Sequence, residues 1–279
     1  MEIPYWISSL IFSFSSSITS RLSPDRTLSF HFLEQPPTNW IDNRSGFTPF
    51  STAQREFTRD VFSYFSSIID VKFVETTTYS GFNTIVLGNN DQGGSGSAGY
   101  MTGAPGDEAW GLFMSNVHSG AGQIADPKNS PTFLYTYLHE LGHVLGLKHP
   151  FGNTLPILSD AEDNFDLTIM TYGSKSPGIQ APTSILLQPL DIAALQYLYG
   201  PSKTAANASS DDTYILDHNG RNFIWDGGGT DKLDASASSK RLVLALEPFT
   251  QGYFGAAATV LISANGQITI NGGTLIEQV

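Results

Sequence analysis

The sequence of 279 residues contains no cysteine. No disulfide can therefore stabilise the fold, and no thiolate can hold a metal ion. Any metal ion bound by this chain must be held by nitrogen and oxygen ligands.

Basic residues are also scarce, since 14 Lys and Arg stand against 26 Asp and Glu, for a formal net charge of −12. Binding to nucleic acid relies on clusters of Lys and Arg that displace counterions, so we expect no nucleic-acid partner. An acidic, glycine-rich chain of this kind is typical of secreted proteins that meet calcium, and also of many cytosolic ones.

Long hydrophobic runs are absent as well. A membrane-spanning helix needs about 20 apolar residues, so we expect no membrane span. The first 22 residues include a short apolar part at 7–14, but they begin with an acidic residue at Glu2 and lack a basic region. We therefore expect no Sec signal peptide, and we interpret this segment as the first part of the fold.

The strongest pattern that is present lies at residues 139–149, which read H-E-x-x-H-x-x-G-x-x-H. On a helix, His139 and His143 are four residues apart and project from one face, where both imidazoles can contact a single metal ion. Glu140 lies about 100° further round the helix, beside the metal ion rather than on it. This spacing is typical of a zinc metalloprotease.

The third histidine of the pattern, His149, requires the helix to end. Six residues beyond His143 correspond to about 600° of rotation, which would direct His149 about 120° away from the ligand face. Gly146 can adopt a left-handed conformation without a side-chain penalty and so allows the chain to turn back. A lone H-E-x-x-H could be a solvated surface helix, but all five positions together favour a metal site.

The rest of the first 200 residues predicts a mixture of strands and helices, hence an α+β fold. Alternating or continuous apolar runs predict strands at 27–32, 71–74, 84–87, 98–101 and 109–115. Amphipathic spacing predicts helices at 50–65, 132–145 and 188–200.

After Gly200 the composition changes, and a polar stretch at 202–212 indicates a domain boundary between residues 1–200 and 201–279. Short strands are predicted at 213–216, 222–225, 242–246, 259–263 and 267–270, separated by Asn-Gly and Gly-rich turns. This pattern predicts a small all-β domain. Within it, Asp226 and Asp231 flank a run of three glycines, which suits either a calcium site or a plain hairpin.

Four features together resemble the serralysin family of metzincin proteases, from about residue 27 to the C-terminus. They are the zinc pattern, the His149-Pro150 pair, Met170 and Tyr172 in "MTY", and the helical sequence "PLDIAALQYLYG". The resemblance implies a metzincin-type α+β domain with a twisted mixed sheet and long helices. A small β-roll- or sandwich-like domain that binds calcium is implied to follow it.

The resemblance also implies a role for each matching residue. Zinc would be held by His139, His143 and His149, with Tyr172 as a further ligand that can swing away to stabilise the transition state. Glu140 would be the general base, and Met170 would form the Met-turn beneath the metal. An edge strand made of Ala98, Gly99, Tyr100 and Met101 would pair with an extended substrate.

For calcium, the resemblance implies ligands on both sides of the first C-terminal strand. They are the main-chain oxygens of Ser209, Asp211 and Thr213, followed by Asp226, Gly228, Asp231 and Glu277. The chain departs from the family in a short segment between His149 and Met170, and in lacking the tandem glycine-rich calcium repeats. It could therefore be a natural short form or a truncated chain, and its export route stays open.

These observations predict a secreted, monomeric zinc endopeptidase that acts on protein or peptide substrates and that a proteinaceous inhibitor could regulate. Three alternatives remain open. The chain could be a catalytically silent or very narrow-specificity metzincin that acts as a binding protein, or a member of another metalloprotease subfamily. It could also be a structural calcium-dependent β module with an incidental histidine pattern.

Overall fold

The computed structural model describes most of the chain. The described residues are 3–20, 22–36, 45–78, 82–93, 98–101, 110–117, 126–172, 186–204, 210–226, 228–258, 262 and 264–279. Within these ranges, no helix combines the length and apolar character that crossing a bilayer requires.

The first part of the chain is built on a five-stranded mixed sheet, as the sequence predicts. Its strands are β1 (Thr27–Phe32), β2 (Lys72–Glu75), β3 (Thr84–Asn90), β4 (Ala98–Met101) and β5 (Gly111–Asn116), in the spatial order β2-β1-β3-β5-β4. All neighbours pair in parallel except β4, which runs antiparallel to β5 at one edge. Every residue of β3 and β5 is buried, as expected for strands inside a sheet that is covered on both faces.

Five α-helices accompany the sheet in the described part of the chain. They are α1 (Tyr5–Ser8), α2 (Ser15–Thr19), α3 (Thr52–Ile68), α4 (Pro131–Val144) and α5 (Pro189–Tyr199), with a 3-10 turn at Pro127–Asn129 before α4. Helix α3 begins with a capping box in which the Ser51 and Gln54 side chains each bond the other's backbone N–H. Helix α4 begins with Ser130 as its cap and Pro131 in its first turn, where a missing N–H costs nothing.

The N-terminal segment is part of the main hydrophobic core. Trp6, Ile7 and Leu10 are buried in the same cluster as the apolar faces of α3, α4 and α5. This agrees with the interpretation of residues 1–22 as the first part of the fold.

The C-terminal part consists of short strands, as predicted. They are β6 (Thr213–Ile215), β7 (Asn222–Ile224), β8 (Lys232–Asp234), β9 (Leu242–Val243), β10 (Gln251–Phe254) and β11 (Gln267–Ile270). Strands β7-β11-β10-β9 form one sheet, and β6 pairs in parallel with β8. The sequence did not predict β8 and β10, because each is short and lacks clear apolar alternation. The strand predicted at 259–263 falls mostly outside the described residues.

The two parts of the chain pack against each other. Ile262 is buried in the core cluster of the first part, and the rings of Tyr197 and Phe249 lie 6.3 Å apart, edge to face. The Asn271 amide donates a hydrogen bond to the Gln196 side chain of α5. The domain boundary near residue 200 stays a prediction.

Candidate metal centre

Helix α4 ends where the sequence requires it to turn. Gly146 has a φ of 100°, in the left-handed region. The Leu147 N–H donates to the Gly142 carbonyl at 2.9 Å, and the Gly146 N–H donates to the His143 carbonyl at 3.0 Å. This pair of bonds is a Schellman motif, which closes the helix and reverses the chain toward His149.

The turn brings three imidazoles together. Nε2 of His149 lies 3.0 Å from Nε2 of His143 and 3.1 Å from Nε2 of His139. Two nitrogens bound to one tetrahedral zinc at 2.0–2.1 Å would be about 3.3 Å apart, so the spacing fits a shared ion. The three residues therefore form a group that could hold a metal.

The opposite nitrogens of two of these rings are fixed by the backbone. Nδ1 of His139 lies 2.8 Å from the Ile169 carbonyl, and Nδ1 of His143 lies 2.8 Å from the Leu147 carbonyl. A carbonyl can only accept a hydrogen bond, so each Nδ1 carries the proton. The Nε2 lone pairs are thereby left free for a metal ion.

The surroundings also keep the three rings neutral. Burial, together with the neighbouring imidazoles, lowers the pKa of His139 to about 3 and that of His149 to about 4. Burial lowers the pKa of His143 as well. Neutral imidazole is the form that binds a metal, so the site is in its binding form at neutral pH.

Two further predicted residues lie beside this group. The Tyr172 side chain is 61% exposed, and its ring centroid is 4.6 Å from that of His149 and 5.7 Å from that of His139. Burial of part of the ring and the nearby Glu140 carboxylate raise the pKa of Tyr172, which keeps its hydroxyl protonated. Glu140 is half-buried on α4, next to the first ligand. Tyr172 therefore lies beside the histidine group, and the roles expected of Tyr172 and Glu140 stay predictions.

Met170 lies directly beneath the helix that carries the first two histidines. It is fully buried, and a Cβ added to Gly142 of α4 would lie 2.8 Å from its sulfur. Met170 thus packs against this helix, and its role as a Met-turn stays a prediction.

The strand predicted to bind substrate is the edge strand of the sheet. Among the described strands, β4 pairs only with β5, and helix α4 lies against both strands. Pairing of the other edge of β4 with an extended peptide stays a prediction.

Three carboxylates meet in the C-terminal part: those of Asp212, Asp226 and Asp231 each offer an oxygen within 4.8 Å of the others. Oδ2 of Asp231 is buried and has no hydrogen-bond partner among the residues that the structure describes. Burial and the Asp226 and Glu277 charges raise the pKa of Asp231, as expected where negative charges converge without a cation.

Three other residues predicted to bind calcium take part in hydrogen bonds with backbone N–H groups around this cluster. Asp211 accepts a hydrogen bond from the Thr230 N–H, Glu277 accepts one from the Asp231 N–H, and the Gly228 N–H donates to Asp226. Thr213 begins β6, and Ser209 lies outside the described residues. The sequence analysis did not assign a calcium-binding role to the Asp212 side chain. This side chain meets Asp226 and Asp231 of the glycine-rich loop only because β6 pairs with β8.

The chain is similar in sequence to known metalloproteases. The chain is 28% identical to metallopeptidase AprA of Pseudomonas marginalis over 287 residues, which cover 90% of this chain and 57% of the relative. It is 30% identical to serralysin C of Dickeya chrysanthemi over 279 residues, which cover 90% of this chain and 56% of the relative. No protein-family model matches the chain.

This chain belongs to the serralysin family. The matches to serralysins and AprA proteases extend over about nine-tenths of its length, and the mixed sheet fits a metzincin-like domain. The chain spans just over half the length of these relatives, 56% of serralysin G of Dickeya chrysanthemi for example.

One residue that supports the serralysin metal centre was missed at the sequence level. The fully buried Asp191 accepts hydrogen bonds from the Thr168 hydroxyl at 2.6 Å and from the Ile169 and Gln188 N–H groups at 2.9 Å each. It thereby holds the segment whose Ile169 carbonyl orients His139. An aspartate at the start of an otherwise apolar helix was the available signal, but its partners Thr168 and Ile169 lie more than 20 residues away in sequence.

A second contribution comes from the N-terminal segment of this serralysin chain. Ile11 and Leu147 form an antiparallel bridge, and Ser15 Oγ donates to the Gly146 carbonyl at 2.8 Å. The N-terminal segment therefore braces the turn between the second and third histidines.

Proposed function

We propose that this serralysin chain is a zinc-dependent endopeptidase. The observation that carries the proposal is the convergence of three neutral histidine Nε2 atoms, two of them oriented by backbone carbonyls, beside Glu140 and Tyr172. His139, His143 and His149 would hold the ion. When bound, zinc supplies a Lewis acid and lowers the pKa of a bound water toward about 7.

The roles of the chain's own residues follow from their positions. Glu140 accepts a proton from the attacking water and then delivers it to the leaving amine. The Tyr172 hydroxyl donates a hydrogen bond to the oxyanion that develops from the scissile carbonyl. The free edge of β4 holds an extended segment of the substrate by backbone pairing.

The proposal also covers the substrates, location and partners of the enzyme and its C-terminal part. We propose protein or peptide substrates, a secreted and monomeric enzyme, and a proteinaceous inhibitor as a further partner. The C-terminal part is proposed to be a small β-roll-like domain whose Asp212, Asp226 and Asp231 hold a structural calcium ion. Hard oxygen ligands on a glycine-rich loop are what calcium requires.

Hydrolysis of unfolded casein tests the enzymatic proposal, measured with and without a zinc chelator. Glu140→Ala should retain one zinc ion per chain and lose turnover, because it removes the base and leaves the ligands. Glu34→Ala is the matched control, since Glu34 is exposed and contacts Arg55 rather than the metal centre. Cleavage that survives in Glu140→Ala would refute the mechanism. Stoichiometric zinc without any cleavage by the unmodified chain would favour the binding-protein alternative.

A further inference from the structure

A pocket of about 280 Å³ opens beside the metal centre. The pocket is lined by one residue of the N-terminal segment and by residues of and after the histidine pattern. They are Phe12, His143, Lys148, His149, Phe151 and Thr154. Pockets for whole small molecules start at about 300 Å³, so this pocket suits a single side chain. Two of the metal ligands form part of its wall, so a peptide bound at the metal would place a side chain at the pocket entrance.

Aromatic rings form much of the pocket wall. The Phe151 ring is stacked on His149, with centroids 4.9 Å apart and an angle of 8° between the planes. On the other side, the Phe12 ring lies 6.3 Å from that of His143 and is stacked on Phe14 at 5.0 Å. Aromatic faces of this kind favour large apolar side chains over small or charged ones.

Lys148 carries the one formal charge among the residues that line the pocket. Its ammonium group is already hydrogen-bonded to carbonyls of the protein. Its Nζ donates to the Pro156 carbonyl at 2.7 Å and to the Thr154 carbonyl at 3.0 Å, with a longer contact to the His149 carbonyl at 3.5 Å. An ammonium group has three hydrogens, and these carbonyls account for all three. Lys148 therefore shapes the loop around the pocket and offers no spare hydrogen bond to a substrate carboxylate.

The backbone around Phe12 is hydrogen-bonded to the histidine turn, although Phe12 lies far from the histidines in sequence. Its N–H donates to the Gly146 carbonyl at 3.1 Å, and the Lys148 N–H donates to the Leu10 carbonyl at 2.8 Å. The wall made by Phe12 is thus bonded to the same turn that presents His149.

We propose that Phe12, with Phe151, selects substrates that carry an aromatic or large aliphatic side chain beside the scissile bond. This inference rests on the proposed endopeptidase function and adds the N-terminal segment to the determinants of specificity. The N-terminal segment thereby links substrate choice to the turn that orients the third histidine.

Binding of hydroxamates to the zinc-loaded chain tests this proposal independently of turnover. We would measure N-acetylated hydroxamates of phenylalanine, leucine, alanine and aspartate by calorimetry, because the hydroxamate group anchors on zinc and leaves the adjacent side chain to enter the pocket. The phenylalanine compound should bind about 10- to 100-fold more tightly than the alanine compound. The aspartate compound should bind no better than the alanine compound.

Three variants test whether Phe12 is responsible for the preference for the phenylalanine compound. Phe12→Ala should reduce the phenylalanine-to-alanine ratio to within a few-fold of one, while Phe12→Trp should narrow the pocket and shift the preference toward leucine or alanine. Ile3→Ala is the matched control, since Ile3 belongs to the same segment, is exposed and is not among the residues that line the pocket. If Phe12→Ala fails to fold, the Phe12→Trp shift still decides the question.

The outcomes separate this inference from the proposed function. Equal binding of all four hydroxamates, a preference for aspartate, or an unchanged ratio in both Phe12 variants would overturn the inference. Casein cleavage combined with such a result would leave the endopeptidase function standing. Discrimination between hydroxamates without any casein cleavage would support the pocket and remove the enzymatic proposal.

Discussion

Gly142 and Met170 are packed so closely that a side chain on the glycine would have to displace the methionine. A Cβ at position 142 would lie 2.8 Å from Met170 Sδ, well inside van der Waals contact. Met170 is fully buried and cannot move into solvent. The close approach of helix α4 to the segment beneath the metal therefore depends on this glycine.

We expect Gly142→Ala to lower the free energy of unfolding and to weaken zinc binding. Overpacking a core costs about 1–3 kcal/mol, and the gain in helix propensity from Gly to Ala is at most about 1 kcal/mol, so the clash should dominate. Urea unfolding and zinc titration measure the two effects. The double variant Gly142→Ala/Met170→Ala should cost less than the sum of the single changes, because it removes the clash. Strict additivity would contradict the proposed contact.

Asp191 should make stability depend on pH. Burial raises its pKa from 3.8 to about 6. Between pH 4 and 6 the folded state therefore binds more protons than the unfolded state, and this group's contribution to stability falls as pH rises through that window. The full change corresponds to about 3 kcal/mol.

The Asp191→Asn variant isolates this contribution. Urea unfolding of zinc-free wild type and variant should give a difference in stability, wild type minus variant, that decreases from pH 4 to pH 6. The metal-ligand histidines titrate in a similar range, but they are present in both proteins and cancel in the difference. A difference that increases with pH would show that the hydrogen bonds to Asp191 outweigh its burial.

Tyr172 should affect turnover much more than affinity, if the endopeptidase proposal holds. Removing one hydrogen bond to the developing oxyanion lowers kcat by about 10²- to 10³-fold, so Tyr172→Phe should fall in that range while KM changes little. Steady-state kinetics on a fluorogenic peptide provide the measurement. Tyr253→Phe on β10 serves as the control, and an unchanged kcat in Tyr172→Phe would remove its proposed role.

Calcium should stabilise the chain through the Asp212–Asp226–Asp231 cluster. At 100 times the dissociation constant, a ligand that binds only the folded state adds about 2.7 kcal/mol, which should appear as a rise in Tm. Asp226→Asn or Asp231→Asn should abolish this rise. Asp234→Asn should retain it, because Asp234 lies outside the cluster. A Tm of the unmodified chain that is the same in calcium and in a calcium chelator would argue against the site.

Local sequence determined most of the metal centre. The four-residue spacing of His139 and His143 and the need for Gly146 before His149 follow from helix geometry alone. The five strands and three long helices of the first part were likewise predicted from apolar periodicity, because each pattern is contained in one short segment.

The tertiary structure decided what depends on contacts between distant segments. It pairs the Ile169 carbonyl with His139, brings Asp191 to the Met170 segment, and places Phe12 beside His143. It also brings Asp212 to the two aspartates of the glycine loop through the pairing of β6 with β8. No local pattern encodes such neighbours, because they arise only when the whole core packs and each buried polar group must find its partner.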